Sequence, residues 1–267
     1  MSTTLGPNTN ALPSVLHEQC IYCAGEDRRE LLQALAEAGP AEARERVKDY
    51  FQRQAGAADA RVAGKLGPDW CYRSYEFWRF RDFCLVLSGI GTGCLEPLLF
   101  EVLRASIVRK IILIGTAGRM PEGKAQLGKA YVVGRAWPAA TGIDAEVAEL
   151  PLVPRWKLAT AGNTASAVSS DFYYGFAPDV LTGEYPIHHG PLKALYEEHL
   201  RRKTDLVEME VAQFYFFCKH FGGDGLEYVA VKAAANAVGR GEQQGLNSGH
   251  ALRSTLVTAF RLLRIPA

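Results

Sequence analysis

Two stretches decide how this chain is read: Ser88-Gly89-Ile90-Gly91-Thr92-Gly93, and Ile111-Ile112-Leu113-Ile114-Gly115-Thr116-Ala117-Gly118. In each, an apolar run (Cys84–Leu87, then Ile111–Ile114) ends in a glycine-rich turn, and Glu96 to Ala105 between them has helical spacing. Strand, turn, helix, strand, turn is the unit of a parallel α/β sheet. Glycine at such a turn leaves backbone N–H groups open to an anion or a ribose, because no Cβ stands in the way. Ligands of open α/β sheets collect at the carboxyl ends of the strands, so both turns are expected at one small-molecule site.

The same alternation extends outward. The residues around Ile21 read as a strand, turning at Gly25 into a helix over Glu30 to Ala38. Trp70 to Val86 alternates as a pair of strands turning near Arg81-Asp82, and Pro97 is expected in the first turn of the helix that follows. Ala130–Val133 is a further strand, after which an irregular stretch runs to Ser170. Pro191–Arg202 and Val207–Phe221 read as helices, Tyr228–Ala234 as a strand, and Gly249 to Leu263 as a closing amphipathic helix. The expectation is an α/β fold with a mainly parallel sheet covered on both faces. It would form one domain over residues 1–267, with residues 1–16 an irregular N-terminal arm.

Composition narrows the classes of partner. The formal net charge is +1 and 48% of the residues are hydrophobic, so a sizeable core is available and nothing calls for nucleic acid or an anionic membrane. No apolar run is long enough to span a bilayer, and Met1 to Pro13 lacks the basic start and apolar segment of a secretory signal; a cytoplasmic protein is expected. The six cysteines are scattered, as reduced thiols would be. Cys20 and Cys23 fall in a predicted strand, where an i,i+3 pair points to opposite faces, so no metal site is expected. His188-His189 lacks a ligand partner at a convincing spacing and reads as loop, and Arg201-Arg202-Lys203 reads as a solvated helix end.

Val207-Glu208-Met209-Glu210 supplies the chemistry the turns lack. A carboxylate beside a thioether suits a sugar, with Glu210 accepting from two ribose hydroxyls and Met209 packing on the ring. Five features in order then carry a resemblance over most of the chain. They are Ile21-Tyr22-Cys23-Ala24-Gly25-Glu26-Asp27-Arg28-Arg29, which is similar to a strand and Gly-Asp-Pro-x-Arg loop; Arg73 with the two glycine turns; Ser169-Ser170-Asp171-Phe172-Tyr173-Tyr174; Glu208-Met209-Glu210; and the strand running into Asn236. Together they resemble the nucleoside phosphorylase superfamily, which holds purine nucleoside and uridine phosphorylases and related nucleosidases.

The resemblance implies a three-layer sandwich around a twisted mixed sheet, and cleavage of the N-glycosidic bond of a nucleoside. It implies phosphate held by Gly25, Arg29, Arg73 and Thr116, with Arg29 catalytic and Arg73 lent to a neighbouring subunit. Ribose would be held by Met209, Glu210 and Thr116, with Glu208 as support. Tyr173 would stack on the base, and Asn236 would be the catalytic donor to it. The implied assembly is a homo-oligomer, a dimer or a hexamer. No cofactor is implied; inorganic phosphate would be co-substrate.

Two departures qualify the chemistry. Phosphorylases carry an arginine two residues before the glycine of the second turn, and here that position is Leu113; Arg119, just past the turn, is the residue that could reach back. Where many relatives have an aspartate that protonates the purine, this chain has Asn236, which can donate a hydrogen bond but cannot act as a general acid. Gly175-Phe176-Ala177-Pro178-Asp179 also lacks the Gln and Arg that read uracil in uridine phosphorylases. Phosphorolysis to free base and ribose 1-phosphate is the leading expectation. A nucleosidase, or a catalytically weakened nucleoside-binding protein, is the alternative.

Overall fold

A computed structural model describes residues 4–56, 67–156, 163–172, 190–238 and 248–266. Its centre is a nine-stranded mixed sheet: β1 (Gln19–Ala24), β2 (Trp70–Tyr72), β3 (Tyr75–Arg79), β4 (Cys84–Ser88), β5 (Lys110–Arg119), β6 (Ala130–Pro138), β7 (Thr164–Ser169), β8 (Leu206–Glu208) and β9 (Glu227–Ala237). The order is β2-β3-β4-β1-β5-β8-β7-β6-β9, and β5 also pairs with β9, so the strands from β5 to β9 close on themselves. In this closed part β5 runs parallel to β9, while β8 runs antiparallel to the end of β5, with Val207 opposite Gly118.

Helices cover both faces. The first layer holds α1 (Arg28–Ala38), α2 (Ala41–Gly56) and, from the far end of the chain, α7 (Ser248–Leu263). The second holds α3 (Thr92–Arg104) and α6 (Val211–Phe221), with Val147 of α4 (Ala145–Glu149) packed against the same core, while Tyr196 and Leu200 of α5 (Gly190–Arg201) join a separate small cluster with Val168 and Val207. Alternation along β5 explains the arrangement: Ile112 and Ile114 pack with α1 and α7, while Ile111 and Leu113 pack with α3 and α6, and all four are 1% exposed or less. Each such side chain contributes about 1.5–3 kcal/mol of burial. Cys20 and Cys23 likewise go to opposite layers, as their spacing requires.

Several sequence expectations needed adjustment. Trp70 to Val86 is three strands, because the chain already turns at Arg73-Ser74, where Arg73 takes a left-handed φ of 54°. Helix α3 starts at Thr92, so Pro97 lies inside it, beyond the first turn. The stretch before Ser170 contains β7 and the short α4. Val207–Phe221 is not one helix: β8 covers Leu206–Glu208, and α6 begins at Val211 with Glu210 at its N-cap position. The β8 backbone pairs with β7 and β5, and this ladder overrides helical spacing.

The N-terminal residues from Thr4 are ordered against α3. Glu101, 2% exposed, accepts from Asn8 N (2.7 Å), Asn8 Nδ2 (2.9 Å), Thr9 N (2.9 Å) and Thr9 Oγ1 (2.7 Å). Among the described residues no helix is long and apolar enough to cross a membrane.

Candidate functional site

The carboxyl ends of β1, β4, β7, β8 and β9 meet the middle of β5 around a cavity of about 600 Å³. It is lined by Gly25 after β1, Ile90 after β4, Thr116 on β5, Asp171 and Phe172 after β7, Glu208 to Glu210 after β8, and Asn236 on β9. Two glycines make the approach possible. Gly25 has φ 70°, and a Cβ there would lie 2.7 Å from Ile90 Cβ. A Cβ on Gly115 would lie 2.8 Å from Glu26 Oε1 and 2.9 Å from Lys232 Nζ, so both charged groups press against bare backbone.

Beneath the cavity lies a buried charge cluster. Lys232 on β9 is 1% exposed; its ammonium donates to Glu210 Oε2 (3.0 Å) and stands 3.7 Å from Glu208 Oε2. Glu208 is itself a bracket: Oε2 accepts from Glu210 N (2.8 Å) and Val211 N (2.9 Å), and Oε1 accepts from the Ser169 hydroxyl. The carboxylate thus caps the first turn of α6, where the helix dipole favours negative charge. Glu210 Oε1 accepts from Gly91 N at 3.2 Å, which ties the first glycine turn to the Glu210 carboxylate. Burial alone would lower the Lys232 pKa, but Glu210, Glu208 and Glu26 together hold it above its ordinary range. Burial pushes the Glu208 carboxyl up, against the opposing pull of Lys232.

Glu26 fills the position opposite. Its Oε1 accepts from Thr116 N and its Oε2 from Thr116 Oγ1 (3.2 Å). Burial raises its pKa, while Lys232 and the two Thr116 donors pull the other way. Four carboxylates line the cavity, those of Glu26, Asp171, Glu208 and Glu210, and no lysine or arginine does so among the described residues. Asp171 is engaged with α3, accepting from Thr92 Oγ1 (2.8 Å) and Thr92 N (3.2 Å).

Of the residues singled out in the sequence, Gly25, Thr116, Met209, Glu210 and Asn236 line this one cavity. Arg29 and Arg73 do not: Arg29 is exposed on the first turn of α1, and Arg73 is exposed at the β2–β3 turn with its guanidinium 5.2 Å from the Tyr72 ring centre. Tyr173 and His188-His189 lie outside the described residues; the neighbouring Phe172 lines the cavity. Leu113 is core. Arg119 does not line the cavity, and its buried Nε has no hydrogen-bond partner among the described residues. Glu26 and Lys232 were missed. Glu26 was hidden inside the loop motif, and a lysine in an apolar strand, Val229-Ala230-Val231-Lys232-Ala233, was the available signal for the second.

The fold and cavity define a mixed-sheet α/β protein whose strand ends bring buried carboxylates and the Asn236 amide to one cavity. A family model, the phosphorylase superfamily, matches residues 72–260, and the chain belongs to that superfamily. Many solved structures share the fold, and two illustrate the likeness. One is a Plasmodium knowlesi homologue of the P. falciparum purine nucleoside phosphorylase (14% identity, TM-score 0.62, covering 99% of this chain and 96% of that one). The other is the Toxoplasma gondii purine nucleoside phosphorylase in complex with immucillin-H (14% identity, TM-score 0.62, covering 99% and 98%). A search of curated protein sequences returns no match.

Proposed function

We propose that this protein cleaves the N-glycosidic bond of a nucleoside with water as the nucleophile. Superfamily membership supports nucleoside cleavage, and one observation supports water: the Glu26 carboxylate engages both Thr116 donors expected to hold phosphate. A phosphate dianion would have to enter a cavity already lined by four carboxylates, with no cationic side chain on its described wall. Charge-assisted bonds to arginine are what phosphate sites use, and an uncompensated like charge at close range works against binding.

In this reading Glu210 accepts from the ribose hydroxyls, Met209 packs on the ring, and Asn236 donates to the departing base. The C1′–N bond breaks with its electron pair going to the base. The cation-like sugar is stabilised by the surrounding carboxylates. Water attacks C1′ and gives its proton to Glu26, whose raised pKa suits a general base. Lys232 takes no part in proton transfer; it holds Glu210 in place.

Phosphorolysis is the second reading. It is favoured by the two fold neighbours, both described as purine nucleoside phosphorylases or homologues of one, and by Arg29 and Arg73, if a neighbouring subunit supplies the latter. A dimer or hexamer is part of that reading, and light scattering that finds a monomer removes Arg73 from the site. Cleavage in ¹⁸O-labelled water separates the two chemistries: label at C1 of free ribose supports hydrolysis, and unlabelled ribose 1-phosphate supports phosphorolysis.

A further inference from the structure

A second cavity carries the opposite charge. It encloses about 570 Å³ beside β6, β7 and the segment that joins α5 to β8, and four cations line it: Lys124, Arg135, Arg202 and Lys203. They come from three places: Lys124 from the loop after β5, Arg135 from β6, and Arg202 and Lys203 from the segment that follows α5. Arg135 sits at a bulge, where the pairing passes from Val133–Ala165 to Arg135–Ser166 and skips Gly134; such bulges re-aim a side chain. Lys203 has a left-handed φ of 54° just after α5, a conformation uncommon outside glycine.

The acids nearby are largely spent. Asp205 is 5% exposed and accepts from Lys124 N (2.9 Å), Ser166 N (2.8 Å) and Ser166 Oγ (3.0 Å), so it pins the Lys124 loop to β7. Glu198 pairs with Arg201 and Arg202. Among the described residues Lys124, Arg135 and Lys203 form no ion pair, and Glu122 is the remaining carboxylate on the wall. Favourable placement at a helix C-terminus accounts for Arg202 and Lys203 but not for Lys124 and Arg135. Like charges converging on a concave surface focus a positive potential.

We propose that this cavity binds the phosphate group of a small molecule, as orthophosphate or as a phosphomonoester. Unpaired ammonium and guanidinium groups match the charge of a phosphate dianion, and the guanidinium fork matches its oxygens. The volume leaves room for a sugar beyond the phosphate. The two cavities lie toward opposite ends of β7 and β8: Ser166 and Asp205 at one end, Ser169 and Glu208 at the other, about 10 Å apart at 3.3 Å per residue.

The test is titration calorimetry with orthophosphate and with ribose 5-phosphate at about 0.15 M salt. Wild type, the Arg135→Ala/Lys203→Ala double variant and Glu26→Gln are compared, and thermal unfolding checks that each is folded. The expected result is saturable binding of at least one ligand, weakened about tenfold or more in the double variant and unchanged in Glu26→Gln. Tighter ribose 5-phosphate identifies a phosphomonoester as occupant; otherwise orthophosphate is the occupant, and both results support the site. No saturable binding at millimolar ligand, less than tenfold weakening in the double variant, or loss of binding in Glu26→Gln overturns it.

Discussion

Glu26 grips Thr116 with both carboxylate oxygens, Oε1 on the backbone N–H and Oε2 on the hydroxyl at 3.2 Å. An internal anion therefore occupies both Thr116 donors, and the same carboxylate faces the cavity. Glu26→Gln keeps the shape but cannot accept a proton. It is expected to lower kcat by about 10²–10⁴-fold with little change in KM for nucleoside. Because burial raises the Glu26 pKa and the base works deprotonated, wild-type activity should fall with decreasing pH at values above the ordinary carboxylate pKa of about 4.3. The variant should lose that acid limb, which pH profiles of kcat/KM will read.

Lys232 balances the carboxylates behind the site. Lys232→Met leaves Glu208 and Glu210 buried without their cation, at a cost of about 3–5 kcal/mol in urea unfolding. Adding Glu210→Gln removes one of the stranded charges, so the double variant should be more stable than the sum of the two single changes predicts.

The turn at Gly25 and the meeting of Met209, Glu210 and Asn236 at one cavity were legible because local chemistry marks them: Gly25 takes a positive φ, and a carboxylate beside a thioether stands out in the sequence. A sheet covered on both faces followed from alternating strands and helices, and its mixed character from the family resemblance. What sequence alone could not supply was register. Strand β8 holds only three residues, too few to show a period, and it is defined by its partners β5 and β7. Strand β7, Thr-Ala-Ser-Ala-Val-Ser, has little apolar bulk and gave no signal. The Glu26–Thr116 and Lys232–Glu210 pairs join residues 90 and 22 positions apart, a relation no spacing rule detects.

Glu101 anchors the N-terminal segment through four hydrogen bonds. Glu101→Ala strands Asn8 and Thr9 donors in a buried place and should cost about 3 kcal/mol. Limited proteolysis should then cut the N-terminal segment sooner in the variant than in wild type.

His199 is buried against Trp137, and burial, with Arg202 nearby, lowers its pKa from 6.5 to about 4. The folded state keeps the ring neutral while the unfolded chain takes a proton, so this contribution is intact above pH 6.5 and is lost as pH falls toward 4. The slope should reach about 1.4 kcal/mol per pH unit in that window. His199→Gln should flatten it in unfolding curves recorded across the same range.

The most direct test is release of free base from a panel of purine and pyrimidine nucleosides, with purified protein in phosphate-free buffer and again with phosphate, using Glu210→Ala as control. Hydrolysis predicts equal release in both buffers and loss of release in the variant. Release that requires phosphate would contradict it.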